Sequence, residues 1–139
     1  MAVLGIGIDL ADYARIATAV ERSGARFLNR IYTPGEQQYC HRRRDPIPCL
    51  CSRFAAKEAL AKALQLGIGP MGLTDAEVCK RDSGAPYFEL HGPLKAWAAA
   101  QPGLVIHLSL SDSADYATAM VVVEADAGVC LPSGLQAFR

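Results

Sequence analysis

Apolar and polar positions alternate from Val3 to Leu10, with Leu4, Ile6, Ile8 and Leu10 on one face and Val3, Gly5, Gly7 and Asp9 on the other. A period of two residues predicts a β-strand. The second face is bare at both glycines, so a neighbouring element can approach its backbone, and Asp9 ends it near the strand terminus. Asp12 is placed to cap a helix that runs to about Arg22 and stops at Gly24. A short helical turn covers Arg26 to Ile31. Thr33, Pro34 and Glu36 then form a capping-box pattern, opening a helix that holds Gln37 to Cys40 and ends in a loop of Arg42, Arg43, Arg44, Pro46 and Pro48. The longest helical run spans about Leu50 to Gln65. Gly67, Gly69, Pro70 and Gly72 predict a flexible connection.

The second half reads differently. Ala76–Arg81 and Pro86–Leu90 form two strands around Asp82-Ser83-Gly84-Ala85, a hairpin signal. A short helix follows from Pro93 to Gln101. Leu104–Ser111 and Tyr116–Glu124 are strands around the turn at residues 112–115. Helices in the first half and hairpins in the second predict an α+β domain, an antiparallel sheet packed against the long helix, over residues 1–125, with a loose tail at 126–139.

Composition narrows the function classes. At 51% hydrophobic and 20% charged, the 139 residues can build one packed core rather than a disordered chain. Fourteen Lys and Arg balance fourteen Asp and Glu, which argues against bulk nucleic-acid binding. Met1–Ile8 lacks the basic region of a secretory leader, and no apolar run approaches the roughly 20 residues of a membrane helix. The expectation is a soluble, cytoplasmic protein. Five cysteines at irregular spacing argue against a disulfide framework and for small buried thiols. Cys40, His41, Cys49 and Cys51 form a poor zinc set, because C-x-C is not the usual ligand spacing.

Candidate chemistry lies in three segments. In FAAKEALAKAL, Phe54–Leu64, Glu58 and Lys62 stand four apart and share one helix face. Such a pair is either a solvated ion pair or a carboxylate and an ammonium that hold a hard cation and its phosphate. GIGID, Gly5–Asp9, lacks the third glycine of a dinucleotide fingerprint, since position 10 is Leu. It is either a strand with a tight crossing or a carboxylate beside backbone kept bare for a ligand. HLSLSD, His107–Asp112, sets His107, Ser109 and Ser111 on one strand face, towards water or a ligand groove. The arginine triplet is a solvated loop or a dock for an acidic partner. His41 and His91 read as surface or loop residues. Neither a G-x-S-x-G nor a G-x-x-x-x-G-K-[ST] motif is present.

Taken together, GIGIDL with Arg15, RFLNRIYTPGEQQYC, RFAAKEALAKAL, DSGAPY and HLSLSDSADYATAMVVVE, in this order over about residues 2–124, resemble a phosphopantetheinyl transferase of the holo-acyl-carrier-protein synthase type. The resemblance implies that the chain moves the 4′-phosphopantetheine arm of coenzyme A onto a serine of an apo acyl carrier protein and releases adenosine 3′,5′-bisphosphate. It implies Mg²⁺, held by Asp9 and Glu58, with Lys62 on phosphate, and a homotrimer with sites between subunits. Arg53, Gly84, Pro86, Ser111 and Asp112 fall in segments that imply coenzyme A contacts. Arg15, Arg22 and Arg26 match the arginines that dock the acidic carrier, whether that carrier serves fatty-acid, polyketide or peptide synthesis. The family usually carries His where this chain has Asp112. A carboxylate there opposes phosphate by like charge. That leaves a second reading, a trimer that binds coenzyme A or a carrier without transfer, and a third, a metal-dependent nucleotide hydrolase that needs no carrier.

Overall fold

The computed structural model describes residues 1–66 and 72–132. Its elements run β1 (Ala2–Asp12), α1 (Tyr13–Ser23), α2 (Ala25–Ile31), α3 (Pro34–His41), α4 (Ile47–Ala63), a 3₁₀ turn (Leu73–Asp75), β2 (Ala76–Lys80), β3 (Pro86–Leu90), α5 (Gly92–Ala99), β4 (Val105–Asp112) and β5 (Tyr116–Ala125). One antiparallel sheet has the order β1-β5-β4, and β2 and β3 pair as a separate hairpin. The predicted α+β class with antiparallel sheets is what forms. The Gly67–Pro70 part of the predicted flexible connection and the end of the tail lie outside the described residues. None of the described helices is long and apolar enough to cross a membrane.

The bare glycine face of β1 determines how the layers meet. A Cβ built on Gly5 would collide with the Ala63 carbonyl, and one on Gly7 with that of Ala59. α4 therefore lies directly on the β1 backbone, with Ala55, Ala56, Ala59 and Ala63 fully buried. Ala117, Ala119, Val121 and Val123 of β5 complete the same buried face. Gly7→Ala should destabilise the fold by about 3 kcal/mol, read as a lowered midpoint in urea.

The alternation along β1 breaks once. A bulge between Val3 and Gly5 turns Leu4 inward to the core and leaves Val3 exposed, the reverse of the predicted faces. Ile6, Ile8 and Leu10 keep their shared face, but it is the outer one.

Helix ends were shifted by local chemistry. Asp12 caps α1 through the Ala14 N–H, and Thr33 and Glu36 form the predicted capping box. α4 begins three residues before the predicted Leu50, because Pro48 is harmless in a first turn and the Asp45 carboxylate accepts the Ile47 N–H at 3.1 Å. It ends before Gln65, which takes φ +57° while Leu66 donates to Ala61 and Gln65 to Lys62, a Schellman closure.

The cysteine expectation is corrected. Cys40 at the end of α3 and Cys49 in the first turn of α4 are joined as a disulfide, so neither sulfur is free as a thiolate ligand. α3 and α4 fold back on each other across the arginine loop, bringing the two Cα atoms to 5.4 Å. A separation of nine residues carries no such signal on its own. Cys51 is a buried thiol as expected, whereas Cys79 is half-buried and Cys130 exposed.

Beneath α4 lies a buried ion pair. Lys57 Nζ donates to Glu36 Oε1 at 2.6 Å and to the carbonyls of Ile31 and Leu73, each at 2.8 Å. Glu36 in turn accepts the N–H groups of Thr33 and Val78, both at 2.9 Å. One ammonium thus ties α2, α3, the 3₁₀ turn and, through Glu36, β2 to the central helix.

Candidate active site

Close approach at Gly7 has a direct consequence for Asp9, two residues along the same face. Ala59, whose carbonyl touches Gly7, is the neighbour of Glu58. The crossing of β1 and α4 therefore brings the Asp9 and Glu58 carboxylates into one cavity of about 410 Å³, bordered also by Arg15, Phe27, Phe54 and Lys62. Lys62 Nζ donates to the Ile8 carbonyl at 2.9 Å and reaches Asp9 Oδ1 at a longer 3.4 Å. The ammonium is mostly solvated while Asp9 is largely covered. Thr118 Oγ1 donates to the Asp9 carbonyl at 2.8 Å and fixes the strand at this point.

Burial pushes the Glu58 carboxyl above its usual range, and the charge on Asp9 adds to the shift against the pull of Lys62 and Arg15. Asp9 is also raised, chiefly by burial, with Lys62 and Arg15 opposing. Two oxygen-donor carboxylates that share one cavity, beside a lysine that can hold phosphate, fit a hard divalent cation. The sequence alone left Glu58 and Lys62 open to a plain i,i+4 pairing. In the structure Lys62 instead bonds across to β1.

A second cavity, of about 480 Å³, gathers Arg43, Cys49, Arg53, Lys80, Ser111 and Asp112. The Arg53 guanidinium stacks over the Tyr39 ring at 4.6 Å and Arg43 lies 5.0 Å from the same ring. Arg43 also donates to the Tyr39 hydroxyl at 2.9 Å. Among the described residues, Arg53 Nε is buried with no hydrogen-bond partner. Asp112 lines this cavity together with three cationic side chains, Arg43, Arg53 and Lys80.

The two groups do not share one cavity on one chain. Asp9 pairs with Ala119 and Leu110 pairs with the same residue from the other side, so the sites flank β5 at one end of the sheet. Gly84 and Pro86 sit at the exposed β2–β3 turn and line neither cavity. Arg22 shares a shallow groove on α1 with Arg15, and Arg26 is exposed at the start of α2. Tyr39 and Lys80 were missed by sequence reasoning. Only the i,i+4 spacing of Tyr39 and Arg43 hinted at the stack. His91, read as a loop residue, is half-buried and bonds Glu77 at 2.8 Å.

Known proteins resemble the chain in sequence and fold over most of its length. The sequence model of the 4′-phosphopantetheinyl transferase superfamily matches residues 5–121. A holo-acyl-carrier-protein synthase of Leptothrix cholodnii is 41% identical over 128 residues, covering 88% of this chain and 96% of its own. The crystal structure of a holo-acyl-carrier-protein synthase from Neisseria meningitidis superposes with a TM-score of 0.82 at 35% identity, over 88% of this chain and 99% of its own. That of Helicobacter pylori, in complex with coenzyme A, superposes with a TM-score of 0.74 at 34% identity, over 86% and 99%. By sequence and by fold the chain belongs to the 4′-phosphopantetheinyl transferase superfamily.

Proposed function

We propose that this protein transfers 4′-phosphopantetheine from coenzyme A to a serine of an apo acyl carrier protein, releasing adenosine 3′,5′-bisphosphate. The observation that carries this reading is the meeting of Asp9, Glu58 and Lys62 in one cavity at the β1–α4 crossing. Relatives named for this reaction, one of them bound to coenzyme A, support it. Asp9 and Glu58 would hold Mg²⁺, which when bound supplies positive charge against the leaving phosphate. Lys62 holds a phosphate oxygen and orients the pyrophosphate. Glu58, or a water on the metal, takes the proton of the carrier serine, whose oxygen bonds to the phosphorus bearing the pantetheine as the bond to the adenylate side breaks. Positioning and electrostatics supply most of the rate in such transfers.

Arg53, Ser111 and Asp112, with Arg43 and Lys80, take the remaining phosphate of coenzyme A. That role requires the second cavity of one subunit to meet the first cavity of another. Ile6 is 70% exposed, Ile8 62%, Leu10 66% and Met120 50%, and they share the outer sheet face. A contiguous apolar surface of this kind marks an interface. Assembly through it as a homotrimer would complete the site. The reaction belongs in the cytoplasm, where the chain meets its carrier.

The exposed arginines of α1 and α2 dock the carrier's acidic helix. Arg22→Glu should raise KM for the carrier about tenfold, roughly 1.4 kcal/mol, with kcat unchanged and a smaller effect at high salt. An unchanged KM moves the dock to Arg42–Arg44. The reading as a whole is tested by release of adenosine 3′,5′-bisphosphate. Release that depends on the carrier supports transfer, and release from coenzyme A alone makes the protein a hydrolase.

A further inference from the structure

We infer that the Cys40–Cys49 disulfide is a reversible thiol switch that sets the affinity of the Arg43–Arg53 cavity for phosphate. This rests on the reading that coenzyme A places a phosphate there. The bond joins the two ends of the segment that carries Arg42, Arg43 and Arg44. Arg43 is held by its N–H to the Cys40 carbonyl at 3.1 Å and, outside the loop, by Tyr39, whose hydroxyl accepts from its guanidinium and whose ring lies under it at 5.0 Å. The like charge of Arg53 on the same ring pushes it away. The disulfide closes the loop and keeps Arg43 on the cavity wall despite that repulsion. Without it, the loop is free to open and the cavity loses one of its cations.

Access favours one sulfur. Cys40 is 0% exposed, whereas Cys49 is 6% exposed and itself borders the cavity. Cys51 is fully buried and does not line the cavity, so it offers no competing partner. A disulfide in a reducing compartment is usually transient and redox-sensing rather than a permanent staple. The chemistry is exchange with a dithiol reductant. Its thiolate attacks Cys49 Sγ, the Cys40–Cys49 bond breaks, and Cys40 leaves as a thiolate that takes up a proton. The second thiol of the reductant then displaces Cys49, which is protonated in turn, and the reductant ends as a cyclic disulfide. Two electrons and two protons have passed to the protein. A glutathione-type disulfide reverses the sequence. An occupied cavity shields Cys49, so bound coenzyme A should slow reduction.

The full-length protein is prepared oxidised and reduced, with thiols counted by alkylation in denaturant and intact mass. Three are expected before reduction and five after. Coenzyme A binding is then measured by calorimetry. The reduced protein should bind roughly tenfold more weakly, the loss of one charged hydrogen bond. Cys40→Ser/Cys49→Ser should match the reduced form with or without reductant, and Arg43→Ala should abolish the difference between redox forms. Equal affinity of oxidised and reduced wild-type protein overturns the switch, as does a count of five thiols after treatment with oxidised glutathione. Absence of coenzyme A binding in both forms overturns instead the reading on which the switch rests.

Discussion

Glu58→Gln lowers phosphopantetheine transfer by at least about 10³-fold, and in metal-free buffer it melts at a higher temperature than the parent. Both results follow from one arrangement. Glu58 and Asp9 share a half-buried cavity in which burial raises both carboxyls and the charge of Asp9 raises Glu58 further. A carboxyl whose pKa is raised on folding stabilises the fold most below its unfolded value, here near 4.5 for Glu58, and that contribution is lost as pH climbs through the raised folded value. Where both groups are ionised, the unliganded fold bears their repulsion. Glutamine keeps the shape and removes one charge. Millimolar Mg²⁺ should then raise the melting temperature of the wild type and leave the variant unmoved, since a ligand stabilises only what binds it. A Glu58→Gln variant that keeps near-full transfer, or one that melts lower than the parent without metal, contradicts this account of the site.

Lys57→Met is expected to give the largest loss of stability, about 3–5 kcal/mol, seen as a fall of roughly 10–20 °C in melting temperature. The neighbouring residue in the same motif thus does opposite work. Lys57 is fully buried, and its removal strands the Glu36 carboxylate and the carbonyls of Ile31 and Leu73 without their donor. Combining it with Glu36→Gln should recover part of the loss, because the uncompensated charge disappears while an acceptor remains for Thr33 or Val78. Strictly additive losses in a double-mutant cycle would show that the two residues are not coupled. Lys57→Met above a few kcal/mol of loss should also lower transfer only in proportion to the unfolded fraction, whereas Glu58→Gln lowers it in fully folded protein.

Much of this was legible in the chain. The alternation around Gly5 and Gly7 announced a strand with a bare face, and that face is where α4 lies. Asp12 and the Thr33–Glu36 box marked helix starts correctly, because capping is decided by residues within one turn. Pairing Asp9 with Glu58 came from family resemblance, and its physical cause, the backbone contact of Gly7 with Ala59, is visible only once the layers are packed. What failed was non-local or depended on a single inserted residue. The bulge at Leu4 reversed two side chains, since strand faces have a strict period of two. The Cys40–Cys49 bond needs the relative placement of α3 and α4, which no spacing rule supplies. Burial of Lys57 was hidden for the same reason: the three acceptors of its hydrogen bonds, Ile31, Glu36 and Leu73, come from elements far apart in sequence. Sequence pattern could not say which face of β1 was outermost, because an apolar face serves a core and a subunit interface equally well.

The most direct measurement is the intact mass of an apo acyl carrier protein after incubation with this protein, coenzyme A and Mg²⁺. The account predicts that the carrier gains the mass of one phosphopantetheine arm, with Asp112 left as it is, and that the gain vanishes with Glu58→Gln. A carrier of unchanged mass, in a mixture where the protein holds coenzyme A, would contradict the transfer and leave a binder in its place.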